Sequence, residues 1–266
     1  MAATTAEPRG SLRVTLVQRA ASLDPAENLA ALDDLPALTA GTDLVVLPEA
    51  FARDFGDPAS DLAPYAEPLH GPFATRLAGL ARETGTALLA GMFEQDADRD
   101  DRPFNTLVLA TPAGITSYRK IHLYDSFGYK ESDRLRGGAL SPVVVDLGGF
   151  RLGLMTCYDL RFPEMARRLV DLGAEVLVVP AAWVAGENKV RHWLTLAAAR
   201  AIENTCYVVA VGQPAPRYTG HSTVITPDGG ALVEAGDGPE VLTATLERSV
   251  LGQARDRNPS LANRRL

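Results

Sequence analysis

The chain reads as an α/β protein built as one domain over residues 11–266, preceded by a short frayed tail at 1–10. Three observations carry that reading. Continuously apolar segments of strand length alternate with amphipathic helical ones, no Gly/Ser/Pro-rich linker divides the 266 residues, and no fixed-period repeat stands out. Long apolar strands separated by helices indicate sheets covered on at least one face.

Leu12 to Gln18 reads as the first strand, and Asp24-Pro25-Ala26-Glu27 opens a helix with an aspartate N-cap and proline at the first helical position. Asp43 to Leu47 is an apolar strand stopped by Pro48, and Ala74 to Glu83 is a helix. Strands follow at Ala87 to Phe93 and Thr106 to Ala110, and the turn Thr111-Pro112-Ala113-Gly114 leads into another at Ile115 to Lys120. A polar loop spans Asp125 to Ser141; beyond it lie strands Val143 to Leu147 and Phe150 to Met155, a helix from Phe162 to Leu172, and a strand at Glu175 to Val179. Val190 to Asn204 is helical, with apolar residues at Trp193, Leu194, Leu196, Ala197 and Ala201. Strands at Cys206 to Val211, Ser222 to Thr226, Ala231 to Glu234 and Val241 to Leu246 complete the set, with Pro227-Asp228-Gly229-Gly230 as a hairpin turn.

Composition excludes several classes. A chain with 46% hydrophobic and 22% charged residues can build a substantial core without disulfides or metal. Its two cysteines, Cys157 and Cys206, rule against a disulfide scaffold and fit a reducing cytosol. A formal charge of −7 disfavours non-specific nucleic-acid binding, and the Arg-rich end from Arg255 to Arg265 reads as a solvated tail. The apolar run Val176 to Ala185 contains Pro180 and falls far short of the roughly 20 residues that span a bilayer.

Three polar residues stand at strand ends. Glu49 follows Leu44-Val45-Val46-Leu47-Pro48, Lys120 ends Ser117-Tyr118-Arg119-Lys120, and Cys157 follows the strand that ends near Met155. Read alone, each has a plainer alternative: a rim glutamate, a solvated edge lysine and a buried core thiol. Alternation sends Tyr118, Lys120 and His122 to one face of their strand. The chain reverses at Cys157 and a helix follows at once, which sets the thiol near backbone N–H groups that favour its thiolate. Together the three residues meet the needs of amide hydrolysis: a nucleophile, a base to move its proton, and a positive donor for the oxyanion, with no metal and no cofactor.

The segments Leu47-Pro48-Glu49, Tyr118-Arg119-Lys120-Ile121-His122-Leu123 and Cys157-Tyr158-Asp159-Leu160-Arg161-Phe162-Pro163-Glu164 resemble the three motifs of the nitrilase superfamily of carbon–nitrogen hydrolases. Order and spacing agree, with 71 positions from Glu49 to Lys120 and 37 from Lys120 to Cys157. Family-like wording extends to Gly173-Ala174-Glu175, Ala199-Arg200-Ala201-Ile202-Glu203-Asn204 and Gly220-His221-Ser222, so the likeness runs from about Arg13 to Arg257. It implies an α-β-β-α sandwich that dimerises across a helix-bearing face. It also implies Cys157 as nucleophile, Glu49 as general base, Lys120 as oxyanion-stabilising acid and the Tyr158 N–H as a second oxyanion donor. Glu131, in Tyr129-Lys130-Glu131-Ser132, matches the second glutamate that orients the lysine and substrate in such enzymes. Tyr124 and Phe127 fall in a loop that shapes substrate access in this family.

Other residues carry competing readings. Trp183, just past a strand, fits a pocket wall and core packing equally. Arg161 is expected to pair with Asp159 or Glu164. His122 could line the pocket or be a hydrogen-bonded strand histidine. No G-x-S-x-G supports a serine hydrolase built on Ser222 and His221, and the four histidines lack zinc-ligand spacing. The reading is therefore a cytoplasmic amidase of the omega-amidase or deaminated-glutathione-amidase type, acting on a small-molecule amide as a homodimer or larger homo-oligomer, with no nucleic-acid or membrane partner. The wording of the cysteine motif resembles that branch more than true nitrilases. A carbamoyl amide hydrolase of the same superfamily is the near alternative, and a catalytically silent binding subunit the distant one.

Overall fold

The computed structural model describes residues 10–96 and 99–265; the tail expected at 1–10 lies, but for Gly10, outside them. In the first sheet, β1 (Ser11–Gln18), β2 (Leu44–Val46) and β3 (Ala87–Asp96) run parallel, and β4 (Arg99–Thr111), β5 (Gly114–Arg119) and β14 (Glu240–Glu247) extend it antiparallel in the order β14-β1-β2-β3-β4-β5. A two-residue hairpin, β6 (Asp125–Ser126) with β7 (Tyr129–Lys130), interrupts the long polar loop. The second sheet repeats the plan. Its parallel centre is β9 (Phe150–Leu154), β10 (Val176–Ala181) and β11 (Tyr207–Gly212), flanked by β8 (Val144–Leu147), β12 (Thr223–Ile225) and β13 (Ala231–Glu234) in the order β13-β12-β11-β10-β9-β8.

Strand periodicity explains the layers. In β2 and the residue after it, Leu44 and Val46 face the second sheet while Val45 and Leu47 face the opposite way, against α2 (Pro72–Thr84). The inter-sheet core joins inward-facing residues of both sheets, including Val14, Leu16, Leu89, Leu109, Leu152, Leu154 and Val178. The outer face of the second sheet is covered by α3 (Pro163–Asp171) and α4 (Lys189–Asn204), through Ala166, Leu169, Trp193, Ala197 and Ala201. The layer order is helix, sheet, sheet, helix, as the family resemblance implies. Among the described residues no helix is long and apolar enough to cross a membrane.

Local chemistry sets the ends. Asp24 caps α1 (Pro25–Ala31) by accepting from the Ala26 N–H at 2.9 Å, and Gly85 closes α2 in the left-handed region. The chain end differs from expectation: Arg248–Arg257 forms a helix, α5, that buries Leu251 and Ala254. Arg255 there donates to the Thr205 carbonyl and Arg264 pairs with Asp171 at 2.6 Å, so the Arg-rich end is fastened to the body rather than free in solvent. Two apolar residues one turn apart in a charged segment give too little periodicity to reveal this helix.

Gly91 on β3 ties the fold to the residues after β2. The Gly91 N–H donates to the Pro48 carbonyl, the Ala52 N–H donates to the Gly91 carbonyl, and a Cβ at this position would come within 2.8 Å of the Glu49 Cα. Gly91→Ala is therefore expected to cost about 1–3 kcal/mol in urea unfolding, the range for forced overpacking, and to displace the Glu49 backbone. Unchanged stability would contradict this packing.

Candidate active site

Four side chains from four separate segments converge in one buried cluster. Glu49 follows β2, Lys120 follows β5, Glu131 follows β7, and Cys157 follows β9. Glu49, Lys120 and Glu131 are each at most 2% exposed, and Cys157 is 7% exposed. Glu49 and Lys120 are thus neither a rim carboxylate nor an edge lysine. The Lys120 Nζ donates to Glu49 Oε1 at 3.0 Å and to Glu131 Oε2 and Oε1 at 2.8 and 3.1 Å.

Asn105, on β4, makes the same bridge a second time. Its Nδ2 donates to Glu49 Oε1 at 2.8 Å and to Glu131 Oε1 at 3.1 Å. Backbone completes the set: the Ala182 N–H donates to the remaining oxygen, Glu49 Oε2, at 2.6 Å, and the Tyr124 N–H adds a second bond to Glu131 Oε2 at 2.6 Å. Gln213, at the end of β11, donates to the Glu49 carbonyl, so the second sheet grips the segment that carries the first sheet's glutamate.

Electrostatics follow from burial. Desolvation alone would lower the Lys120 ammonium, but Glu131 and then Glu49 more than offset it and hold the group well above the ordinary lysine range. The Cys157 thiol, within reach of the Glu49 charge, moves in the direction opposite to that expected from sequence. Burial raises it, the Glu49 charge raises it further, and Lys120 offsets only part of this. The resting sulfur is a protonated thiol, because a third anion beside two buried carboxylates and one ammonium is unfavourable. Cys157 adopts φ +44, a region seldom used by a residue with a Cβ, where the strand turns into the short helical turn Cys157–Arg161.

The cluster opens into a cavity of about 710 Å³. Tyr124, Phe127, Tyr158 and Trp183 line it, as placed from sequence. Trp183 fills both roles considered for it, since it packs against Trp193 and also faces the cavity. His122 is the hydrogen-bonded residue of its two readings, with Nδ1 2.7 Å from Asp159 Oδ1. Ser222 is buried and donates to Gln18 Oε1, while His221 contacts Asp237 and Glu234, so the two form no catalytic pair.

Arg161 departs from expectation. It pairs with neither Asp159 nor Glu164 but lies over the Trp183 ring at 4.8 Å, facing the cavity, with Nε and Nη2 buried and without a hydrogen-bond partner. Asp159 is unavailable because Tyr118 and His122 occupy it. Lys189, the first residue of α4, stands nearby with its Nζ 3.9 Å from the Phe127 ring centre and 3.1 Å from Tyr124 Oη. Burial and then the neighbouring Arg161 charge lower its pKa.

Residues 13–256 match the family description of the carbon–nitrogen hydrolases. The chain belongs to that family. This carbon–nitrogen hydrolase is 39% identical to a hydrolase of Mycobacterium tuberculosis (strain ATCC 25618 / H37Rv) over 272 residues, covering 95% of each chain. It is 40% identical to the deaminated glutathione amidase of Escherichia coli O157:H7 over 226 residues, covering 84% of each. A carbon–nitrogen hydrolase superfamily protein from Xanthomonas campestris, crystallised with an arsenic adduct in its active site, superposes with a TM-score of 0.87 at 31% identity, over 97% of this chain and 98% of that one.

Asn105, Arg161 and Lys189 are the site residues that sequence reading missed or misplaced. For Asn105 a signal existed: Phe104-Asn105-Thr106-Leu107 sets an amide inside an apolar strand, where it requires partners. Removing the Glu49 charge by Glu49→Gln takes away the second cause of the raised Cys157 thiol. The thiolate is then expected to form at lower pH than in the parent protein, read from ultraviolet thiolate absorbance across a pH titration; an upward shift would contradict the arrangement.

Proposed function

We propose that the chain is an amidase that hydrolyses a small carboxamide to carboxylate and ammonia through a thioester on Cys157. The observation that carries this reading is a single buried cluster in which Lys120, Asn105 and the Ala182 N–H fix the Glu49 carboxylate, while Cys157 lies within reach of its charge and shares the cavity with Lys120. A nucleophile, the base whose charge acts on it and the group that orients that base are thereby gathered at one site. Glu49 takes the thiol proton as sulfur attacks the amide carbon, so the thiolate forms only as the new bond forms. Lys120 and the Tyr158 N–H stabilise the tetrahedral oxyanion, and Glu131 holds the lysine in place. Glu49 then gives the proton to departing ammonia, a water deprotonated by Glu49 cleaves the thioester, and that proton passes to the leaving Cys157 sulfur to restore the thiol.

The outer cavity supports a substrate class. Arg161 and Lys189 present two cations, and neither forms an ion pair with a carboxylate among the described residues. Two buried guanidinium nitrogens without a partner are costly, and a ligand carboxylate supplies the missing acceptors. The substrate is therefore an amide whose far end is anionic, in keeping with the deaminated glutathione amidase among its relatives. The exposed Leu172 and Ile202 on the outer helical layer support assembly with a second copy, and two unbridged cysteines fit a reducing cytosol.

Ammonia release measured on anionic amides, neutral amides and N-carbamoyl compounds tests the reading. Cys157→Ala is expected to lose several orders of magnitude in turnover; near-normal release would reject it. Arg161→Gln with Lys189→Met should raise KM for anionic amides about 10- to 100-fold, the worth of one or two charge-assisted contacts, and leave neutral amides within about twofold. Equal losses on both would remove the anionic tail from the proposal.

A further inference from the structure

Asp159 lies two residues after Cys157, is 0% exposed, and takes no part in the chemistry derived above. A buried carboxylate requires several donors, and the origin of these donors is informative. One is local: the Thr156 N–H donates to Oδ2 at 2.8 Å and closes the turn that presents Cys157. The others come from the opposite sheet and straddle Lys120. Tyr118 Oη donates to Oδ2 at 2.7 Å, and His122 contacts Oδ1 through its backbone N–H at 3.2 Å and its Nδ1 at 2.7 Å. Tyr118 precedes Lys120 by two positions and His122 follows it by two. His122 is also stacked on Phe162, at 3.9 Å between ring centres and 10° between planes, so the histidine is fixed from a second direction.

We propose that Asp159 is a positioning residue: a buried clamp that locks the cysteine turn of the second sheet to both flanks of Lys120 in the first, and so sets the distance between sulfur and ammonium. This goes deeper into the amidase reading and rests on it for the roles of Cys157 and Lys120. Among the described residues, no other side chain of the motif that carries Cys157 hydrogen-bonds to both sides of Lys120. Burial and the adjacent Asp159 charge hold Tyr118 well above the ordinary tyrosine range, so its hydroxyl remains a donor. Errors of about 1 Å at a reacting centre cost on the order of 100-fold, which makes such a clamp felt in turnover rather than in affinity.

The test uses the full chain and its best amide substrate. Tyr118→Phe and His122→Phe each remove one flank's side-chain hydrogen bond while keeping an aromatic ring. Each is expected to lower kcat by about 10- to 100-fold with KM within about twofold, and to lower the thermal midpoint by only several degrees, so that the chain stays folded at the assay temperature. Losing both flanks should cost more than the product of the single losses, because either flank alone still restrains the turn. His122→Asn, which keeps a donor near the Nδ1 position, should recover most of the His122→Phe loss. Unchanged kcat in the single variants, a failed asparagine rescue, or losses that merely track the thermal midpoint would overturn the clamp. If the parent protein releases ammonia from no amide, the amidase reading fails, and iodoacetamide labelling of Cys157 decides the clamp separately. The double variant should then alkylate several-fold faster than the parent as the turn loosens, and an equal rate would overturn it.

Discussion

The structure depends on one buried ammonium held between two buried carboxylates. Taking Glu49, Lys120 and Glu131 out of water costs several kcal/mol per ion, and mutual attraction offsets this only where every remaining lone pair is satisfied. Asn105 and the Ala182 and Tyr124 N–H groups supply that satisfaction. Removing any one donor leaves a charge buried and under-coordinated, so the cluster behaves as a unit. Its net negative charge also decides the state of its sulfur neighbour: a further anion is excluded until a reacting carbon can share it.

No single sheet contains this arrangement. Each sheet has a parallel three-stranded centre with antiparallel flanks, and every member of the cluster follows the carboxyl end of a strand. Glu49 and Lys120 come from the first sheet, and Cys157 and the Ala182 N–H from the second. The inter-sheet core that sets the spacing of these ends is continuous from Leu12 through Leu246, so packing far from the cavity fixes distances within it.

Much of this is legible in the residues themselves. Apolar strand runs, the Asp24-Pro25 start and the three polar residues at strand ends point to the architecture and to the cluster, because strand periodicity and N-caps are local properties. Asn105 escapes because the strand reads as beginning at Thr106, one residue too late to include it. Sequence proximity pairs Arg161 with the nearest acidic residues, yet Asp159 is claimed by Tyr118 and His122 from across the sandwich. The proton on Cys157 is misjudged for the same reason. Backbone N–H groups near a turn are visible in sequence, whereas two carboxylates brought in from more than a hundred and from 26 residues away are not. Local rules locate the groups, and only tertiary assembly determines their charge.

The protonated state of Cys157 carries a consequence for survival of the protein in its surroundings. Peroxide and other soft oxidants attack thiolates at accessible sites, and a neutral sulfur screened from solvent offers them little. The sulfur thus holds its reactivity in reserve, with less of it in the ionised form that such oxidants attack.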